Sequence, residues 1–325
     1  MDLRSFIKKI NAKTPFSGSL KFREPMSRHT TFKTGGPADL LVRPAKTVFP
    51  VWAAALLEAA EQEGIPVFTM GKGANLLVSD KGIRGIVLDT GSWKGAEKEE
   101  KESGKWGMVN GTLSVKALSG TTVDRLCDWL ARRNLAGLEF LAGMPGSIGG
   151  AVWMNARCYE KSVNDVLVET EILDESRRTL TVPYCPEDFS YKKSPFQNRK
   201  ILILSARFSV RPGVQSTDIS EIRKEMANHR RDRKEKGHYR FPCAGSAFKN
   251  NHSFGEPTGK IIDDLGLRGF SKGGATIAPW HGNLIINTGG AHSSDIRSLM
   301  EETAKKVREA RGFELEPEII FVGEW

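Results

Sequence analysis

The sequence predicts an α+β protein with more than one domain, and three observations lead to this prediction. Short strand patterns and amphipathic helical patterns are mixed in both halves of the chain. No internal repeat recurs at the spacing of a solenoid. The 325 residues are enough for two or three compact domains, each with its own core.

The predicted elements follow one another between glycine and proline turns. Gly64 and Pro66, for example, end the second helix. Residues 91–106 are charged and poor in apolar side chains, which predicts an exposed hairpin connection or a mobile loop. In chain order the predicted elements are a helix to about residue 11, a strand at 38–42, a helix at 49–63, strands at 65–70, 75–78 and 83–88, a strand from 115, a helix at 123–133, strands within 163–212, a helix after 218, a helix to 311 and a strand at 314–323.

Capping residues predict where three of the helices begin. Thr122 and Ser294 stand at N-cap positions, and Asp218 with Glu221 has the spacing of a capping box. Gly312 is placed to close the last long helix, since glycine adopts the left-handed conformation easily.

Charge and composition limit the kind of partner and the compartment. The net charge of +9 favours anionic partners, and nucleic acid, nucleotide phosphates and sugar nucleotides all satisfy it. No run approaches the roughly 20 apolar residues of a membrane span, and the N-terminus lacks the apolar core of a secretory signal. Four cysteines without a CxxC pair argue against a zinc site or a disulfide scaffold. The sequence therefore predicts a cytoplasmic protein.

Two glycine-rich loops are the main candidates for ligand binding. One is residues 71–75, GKGAN, directly after a predicted strand, and the other is residues 143–155, GMPGSIGGAVWMN. Glycine allows another group to approach the backbone closely, and neighbouring backbone N–H groups can form an anion-binding nest. Each loop could also be an ordinary turn. Together they suggest the hypothesis that the two loops face one another across a dinucleotide.

The common nucleotide-binding fingerprints are excluded. Leu76 stands where a Rossmann motif needs its third glycine, and a strand-turn-strand pattern follows instead of a helix. The stretch at Thr258 lacks the leading glycine and the final Ser/Thr of a P-loop. A glycine loop between strands can still hold phosphates through its N–H groups alone.

Several polar residues downstream have both an ordinary and a functional interpretation. The basic run at 229–240 is either a solvated helix end or an attractor of a diphosphate, and too few aromatic residues accompany it for nucleic-acid binding. Ser246 lacks the second glycine of an esterase motif, because Phe248 occupies that place. Glu316 and Glu318 alternate with apolar residues, so one of them faces inward or both lie on an exposed edge strand.

Seven stretches, taken together, resemble one family closely, the UDP-N-acetylenolpyruvoylglucosamine reductases (MurB). They occur in the family's order and span nearly the whole chain, and the combination is far more specific than any single stretch. The seven stretches are residues 29–44, 71–80, 138–156, 189–196, 244–250, 266–277 and 315–323.

The resemblance implies a two-lobed FAD-binding domain of the PCMH/VAO type and a C-terminal α+β substrate-binding domain. The FAD-binding domain would cover residues 1–213, with lobes at about 1–95 and 96–213. The substrate-binding domain would cover 214–325, with the last strand returning to the cleft. The substrate-binding domain has no evident tyrosine-bearing insertion, so the chain resembles the shorter, type II branch of the family.

The resemblance also implies the reaction and its partners. NADPH would reduce FAD and leave, and UDP-N-acetylglucosamine enolpyruvate would then enter the same cleft and be reduced to UDP-N-acetylmuramate. Nucleic acid and membrane are not expected as partners. A flavin-dependent oxidase of a sugar or hydroxy acid on the same fold is the alternative, against which residues 244–250 and 315–318 argue.

Site residues carry over from the family's motifs position by position. Ser246 would donate the proton, Glu318 would polarise the developing enolic acid, and Lys192 stands where the family normally has arginine. Lysine keeps the charge but loses the bidentate geometry, so Arg157 is a second candidate cation. The implied substrate-binding residues are Lys249, Asn250 and Arg157, and the implied cofactor-binding residues are Gly71, Lys72, Gly73, Ala74, Asn75, Leu76, Gly143, Met144, Pro145, Gly146, Ser147, Gly149, Gly150 and Asn155.

Overall fold

The computed structural model describes residues 2–98, 108–109, 112–212 and 216–325. Helices and strands are mixed along these residues, which confirms the predicted α+β class. No helix among them is both long and apolar enough to cross a membrane. The α-helices in this part of the chain are α1 (Leu3–Lys13), α2 (Phe49–Gln62), α3 (Val123–Ala131), α4 (Ile148–Trp153), α5 (Ser216–Glu235), α6 (Thr258–Asp264) and α7 (Ser293–Arg311).

The strands are short, as the turn-rich sequence predicts. Of the predicted loop at 91–106, residues 99–106 lie outside the described residues, and residues 96–98 form a strand. The strands are β1 (Gly18–Pro25), β2 (Pro37–Pro44), β3 (Val67–Met70), β4 (Leu76–Val78), β5 (Ile83–Asp89), β6 (Ala96–Lys98), β7 (Met108–Val109), β8 (Thr112–Leu118), β9 (Leu135–Ala136), β10 (Arg157–Cys158), β11 (Lys161–Ser162), β12 (Leu167–Leu173), β13 (Thr179–Pro183), β14 (Leu202–Ser209), β15 (Arg211–Pro212), β16 (Cys243–Ser246), β17 (Ser271–Lys272), β18 (Ala275–Ile277), β19 (Leu284–Asn287) and β20 (Ile320–Val322).

The chain forms two compact units, each built from separate segments. The first unit contains Met1–Lys21, Leu40–Lys72 and Ile86–Arg231, and the second contains Phe22–Asp39, Gly73–Gly85 and Asp232–Trp325. The predicted domain boundary near residue 213 follows the family's organisation and stays a prediction. The compact units are divided differently, since two early segments belong with the C-terminal part of the chain.

The first unit contains an antiparallel sheet of order β13-β12-β14-β8-β6, with β7 also paired to β8. Residues 202–208 of the central strand β14 are all buried, which explains their almost continuous apolar sequence. Arg207 is the one charged residue among residues 202–208, and its Nε donates to Glu169 Oε1 on β12 at 2.8 Å. The charge is thereby paired, as burial requires.

Helix α3 packs on this sheet through the face that its spacing predicts. Val123, Leu126 and Leu130 belong to the same buried cluster as Ile148 of α4. Thr122 occupies the N-cap position of α3 as predicted, but its side chain makes no capping hydrogen bond. The apolar face therefore fixes this helix more than its cap does.

The second unit contains an antiparallel sheet of order β16-β19-β18-β17. Helices α6 and α7 share one buried cluster with this sheet, to which Ile261, Ile285 and Leu299 belong. In the same unit β20 pairs in parallel with β4, so that Ile320 lies opposite Leu76. The final strand is shorter than predicted, since residues 316–318 pair antiparallel with residues 247–249 and only Ile320–Val322 pair with β4.

Two predicted helix starts are wrong. The N-cap of α7 is His292 rather than Ser294, and His292 forms a reciprocal capping box with Asp295. The N–H of His292 donates to Asp295 Oδ2 at 2.9 Å. Helix α5 already includes Ser216, so it starts before the position that Asp218 with Glu221 predicts. Gly312 closes α7 at φ 69°, as predicted.

Candidate functional site

The two glycine-rich loops lie against one another in the first unit, at Gly71 and Ser147. A Cβ on Gly71 would overlap the Ser147 Oγ and would lie 2.9 Å from the Ser147 Cβ. Glycine is therefore required at residue 71 by a close approach and not by its backbone conformation. The sequence predicts two facing loops, and this contact brings them together.

The backbone at this contact presents unused hydrogen-bond donors. Four backbone N–H groups donate no hydrogen bond within the described residues, namely those of Gly71, Lys72, Gly146 and Ser147. Adjacent free N–H groups in a glycine-rich turn form a nest with positive potential, which suits phosphate oxygens. The side chain of Lys72 is exposed and adds a positive charge at the same place. The residues thus fit the diphosphate of a dinucleotide.

The glycines of the second loop serve different purposes. Gly143 and Gly146 have φ values of 77° and 132°, which favour glycine. Gly149 packs against Ser119, because its N–H donates to the Ser119 carbonyl at 2.8 Å and a Cβ would lie 2.9 Å from the Ser119 Cβ. Gly150 is exposed and has space for a methyl group, with only the Ser147 Oγ at 3.5 Å.

A carboxylate of α3 anchors the start of the second loop. Asp124 Oδ1 accepts the N–H of Gly143 at 2.7 Å, and it also accepts Nη2 of Arg230 at 2.7 Å. Arg230 Nη2 donates to Asp128 Oδ1 as well, at 2.6 Å. Burial alone would lower the pKa of Arg230, but its hydrogen bonds to Asp128 and Asp124 raise that pKa above the usual value for arginine. The guanidinium therefore stays charged and holds the carboxylate against the loop.

This anchor decides between the two interpretations of part of the basic run. Arg230 is engaged with two carboxylates of α3, and Lys236 pairs with Asp232 at 2.9 Å. Arg230 is therefore not a solvated helix-end charge, whereas the Lys236 side chain is 55% exposed just beyond α5 and fits that interpretation. The hydrogen bond between Asp124 and Gly143 could not be predicted, since no motif or spacing in the sequence relates the two residues.

Asn155 connects the second loop to the segment at 189–196. Its side chain is 2% exposed, and its Nδ2 donates to the Ser190 carbonyl at 2.9 Å. Its Oδ1 accepts the N–H of Asn164 at 3.1 Å. Both ends of the amide therefore bind protein groups, so Asn155 holds the segment that carries Lys192. A direct role of Asn155 in binding FAD stays a prediction.

The two candidate cations, Lys192 and Arg157, both belong to the first unit. Lys192 is half-buried with φ 59°, a left-handed conformation that is uncommon for a side-chain-bearing residue and is often found at functional sites. Arg157 donates from Nη2 to Glu160 Oε2 at 2.8 Å. The Glu160 side chain is 93% exposed, so this ion pair is weak and leaves Arg157 able to change partners.

In the second unit the chain brings Ser246 and Glu318 close together. Ser246 ends β16, and the next residue, Ala247, accepts the N–H of Glu318 through its carbonyl at 2.9 Å. Lys249 donates its N–H to the Glu316 carbonyl at 2.9 Å, so residues 247–249 and 316–318 run antiparallel. Ser246 and Glu318 are both half-buried. A hydroxyl and a carboxylate thus lie on neighbouring backbone segments, beside a solvent-accessible surface.

Asn75, from the end of the first glycine-rich loop, supports Glu318. Its Nδ2 donates to the Glu318 carbonyl at 2.9 Å, and its own carbonyl accepts the N–H of Ile320 at 3.0 Å. The sequence predicts Asn75 as a cofactor ligand, and that role stays a prediction. The positioning role was not predicted, because hydrogen bonds between distant segments leave no local pattern.

Lys249 and Asn250 take part in local structure. Lys249 forms an ion pair with Glu316, and its side chain is 17% exposed. Asn250 Oδ1 accepts the N–H of Thr258 at 3.0 Å, at the first residue of α6. Their predicted roles in substrate binding stay predictions.

Asp80 fixes the loop that follows β4. Its carboxylate accepts the N–H groups of Ser293 and Ser294 at 2.8 and 2.9 Å, at the start of α7. Burial alone would raise the pKa of Asp80, but these donors lower it below the usual value. Asp80 therefore stays ionised, and it ties the β4 segment to a long helix of the same unit.

Comparison with known proteins decides the family. A family model described as the UDP-N-acetylenolpyruvoylglucosamine reductase C-terminal domain matches residues 237–322, and a model of the FAD binding domain matches residues 52–182. The chain is 41% identical to the UDP-N-acetylenolpyruvoylglucosamine reductase of Treponema denticola, over 95% of each chain. The chain belongs to the MurB family. It is 35% identical to the MurB family member of Borreliella burgdorferi, over 99% of this chain and 98% of the other.

A solved MurB structure agrees with the fold. The crystal structure of MurB from Thermus caldophilus superposes with a TM-score of 0.72 at 29% identity, and it covers 94% of this chain and 100% of that one. The predicted class, an FAD-binding domain followed by a MurB C-terminal domain, is confirmed. The chain is thus an oxidoreductase of the MurB family with an FAD-binding domain.

Proposed function

We propose that this chain reduces the enolpyruvyl ether of UDP-N-acetylglucosamine to UDP-N-acetylmuramate, with NADPH as the electron donor and FAD as the bound cofactor. The reaction would serve peptidoglycan synthesis in the cytoplasm, without nucleic acid or membrane as partners. The observation that supports it most is the antiparallel pairing of residues 247–249 with 316–318, which brings Ser246 and Glu318 together in a chain of this family.

The first unit would bind the cofactor. The free N–H groups of Gly71, Lys72, Gly146 and Ser147 would hold the diphosphate of FAD, since they form the nest described above. The chemistry that bound FAD supplies is hydride transfer, from NADPH and then to the terminal carbon of the enolpyruvyl group. The rest of the reaction falls to side chains of the protein.

Three side chains would complete the reduction. When hydride adds to the double bond, negative charge builds on the carboxylate and the adjacent carbon, and a fixed cation at Lys192 or Arg157 would stabilise it. The Ser246 hydroxyl would give its proton to that carbon, which balances the added hydride. Serine is a weak acid, but it suffices when the acceptor is strongly basic and the geometry is fixed. Glu318 would hydrogen-bond the developing enolic acid.

The proposed function is tested most directly by the colour of the protein. We expect purified protein to be yellow, to bleach with NADPH under anaerobic conditions, and to recolour when UDP-N-acetylglucosamine enolpyruvate is added. A protein that stays colourless after incubation with FAD would contradict the proposal. Recolouring only by oxygen, with a sugar or hydroxy acid as reductant in place of NADPH, would instead support the oxidase alternative.

The two candidate cations are separated by single substitutions. We expect Lys192→Ala to slow the recolouring step by roughly 100-fold or more, because the developing carboxylate charge loses its partner. Arg157→Ala should slow it much less, since Glu160 already partners the guanidinium. Stopped-flow absorbance of the two half-reactions measures both effects, and bleaching by NADPH is the internal control. If both substitutions changed the recolouring rate equally and only slightly, neither Lys192 nor Arg157 would be the cation that stabilises the developing charge.

A further inference from the structure

Tyr191 and Lys192 form the tip of a tight turn in the segment at 189–196. Ser190 and Lys193 enclose this tip, since each donates its backbone N–H to the carbonyl of the other, at 3.3 and 3.0 Å. Lys192 has φ 59°, and turn positions with positive φ are usually filled by glycine or asparagine. A lysine in this conformation needs support from its surroundings, because the conformation itself is unfavourable.

Aromatic packing fixes the base of this turn. The rings of Phe189 and Phe196 meet edge to face, with centroids 6.3 Å apart and planes at 74°. Phe196 is 1% exposed and belongs to the same buried cluster as Ile148 of α4. Tyr191 at the tip is 37% exposed. Apolar contacts therefore hold the base of the turn, and polar contacts are needed to hold its tip.

The side-chain amide of Gln197 connects the tip to helix α4. Its Nε2 donates to the Lys192 carbonyl at 3.1 Å and to the Trp153 carbonyl at 2.9 Å. Both neighbours are acceptors, so the two N–H donors of the amide are used together. Trp153 is the last residue of α4, where helix carbonyls lack partners within the helix. One amide group thus bridges the helix end and the lysine backbone.

Two other side chains hold the same segment at different points. Ser194 Oγ donates to the Trp153 carbonyl at 2.7 Å, and Asn155 Nδ2 donates to the Ser190 carbonyl at 2.9 Å. Neither of these bonds involves Lys192. Gln197 therefore supports the Lys192 backbone directly, whereas Ser194 and Asn155 support its neighbours.

Helix α4 also connects this turn to the second glycine-rich loop. Ser147 is the N-cap of α4, and its side chain accepts the N–H of Gly150. The helix has six residues, so it rises roughly 9 Å from one end to the other. A short helix of this kind is a rigid spacer. The position of the Lys192 backbone is therefore set relative to the loop through the bond that Gln197 makes to Trp153.

We propose that Gln197 is a positioning residue of the reduction, which holds the Lys192 backbone against α4 and so keeps the ammonium group where negative charge develops on the substrate. The inference rests on the proposed function, because that function supplies the developing carboxylate charge. A fixed cation stabilises such charge without having to move first. Lysine depends on a fixed backbone more than arginine does, since it carries a single ammonium on a flexible stem and lacks the bidentate fork.

The first test compares three variants in the two half-reactions by anaerobic stopped-flow absorbance. Gln197→Met keeps the length of the side chain but has no donor, and we expect it to slow recolouring at saturating enolpyruvyl substrate roughly tenfold. Bleaching by NADPH and the affinity for FAD should not change. Gln197→Lys retains N–H donors and should recover most of the rate. Asn164→Ala is the matched control, because it removes another half-buried amide of the same unit, which bonds the Tyr184 hydroxyl at 3.3 Å.

The second test asks whether Gln197 acts through Lys192. Two residues that act as one unit are not additive when both are replaced. We therefore expect Gln197→Met to have no further effect on recolouring in protein that already carries Lys192→Ala. A side chain that merely stabilises the fold would slow recolouring by the same factor in both backgrounds.

Several results would overturn the proposal. One is an unchanged recolouring rate in Gln197→Met, and another is a tenfold loss that persists in the Lys192→Ala background. Equal slowing of bleaching and recolouring would make Gln197 a purely structural residue, and a normal rate in Lys192→Ala would remove the cation that it is proposed to position. Failure of the proposed function is distinct, since the wild-type protein would then not recolour with the enolpyruvyl substrate at all.

Discussion

Ser246→Ala is expected to leave bleaching by NADPH unchanged and to slow recolouring by the enolpyruvyl substrate by roughly 10²- to 10⁴-fold, the usual contribution of a general acid. The reason is that Ser246 would act only after hydride has been delivered to the substrate. The Ser246 backbone belongs to β16 and pairs with Leu284, so removal of the hydroxyl leaves this strand in place. Anaerobic stopped-flow absorbance of the flavin follows the two half-reactions separately.

Two further variants make the result specific. Ser246→Cys retains a proton donor and should recover part of the recolouring rate. Ser271→Ala removes a hydroxyl that bonds Thr276 Oγ1 at 2.8 Å on another edge of the same unit, and it should change neither step. If Ser246→Ala slowed bleaching and recolouring equally, the hydroxyl would be structural and the proposed proton donor would lie elsewhere.

Gly71→Ala is expected to lower the affinity for FAD by roughly 10- to 100-fold, because overpacking typically costs about 1–3 kcal/mol. The added methyl group would overlap the Ser147 Oγ. Rotation of that hydroxyl would not relieve the contact with the Ser147 Cβ at 2.9 Å. The two loops would have to separate, and their N–H groups would no longer converge. Fluorescence titration of the apoprotein with FAD gives the affinity.

Gly150→Ala is the matched control. It adds the same methyl group to the second loop, where the nearest contact would be an ordinary one of 3.5 Å to the Ser147 Oγ. A double variant, Gly71→Ala with Ser147→Gly, removes the clashing atoms and should bind FAD more tightly than Gly71→Ala with native Ser147. The effect of Gly71→Ala on FAD affinity is thus measured with Ser147 and with Ser147→Gly, and the difference between the two effects is the coupling between the loops. Equal affinities of Gly71→Ala and Gly150→Ala would mean that the loop contact does not shape the cofactor site.

Much of the fold could be predicted because its signals are local. The apolar spacing of Val123, Leu126 and Leu130 predicts α3, and the buried run in β14 reads directly from its sequence. Glycine-rich loops are visible because few other residues tolerate such close packing, as Gly71 illustrates. Helix starts were harder to predict. His292 is an unusual N-cap residue, and Ser294 nearby is a more typical one.

The parts of the site that could not be predicted are held by long-range polar contacts. Asp124 is related to Gly143 and Arg230 only through the folded structure, where one carboxylate oxygen serves both. The same holds for Asn75, whose amide supports Glu318 from a distant segment. A hydrogen bond of this kind depends on the final position of two backbones, so neither spacing nor composition of one sequence reveals it.

The hydrogen bond from Asn75 to Glu318 joins positions 243 residues apart, which sets an order of events during synthesis. At typical elongation rates of about 5–20 residues per second, Glu318 leaves the ribosome roughly 10–50 s after Asn75. Until then β4, an apolar strand of Leu76–Val78, lacks β20 as its partner. An unpaired apolar strand edge is open to wrong pairing with another chain. We therefore expect the nascent protein to be more prone to aggregation before the segment carrying Glu318 is in place.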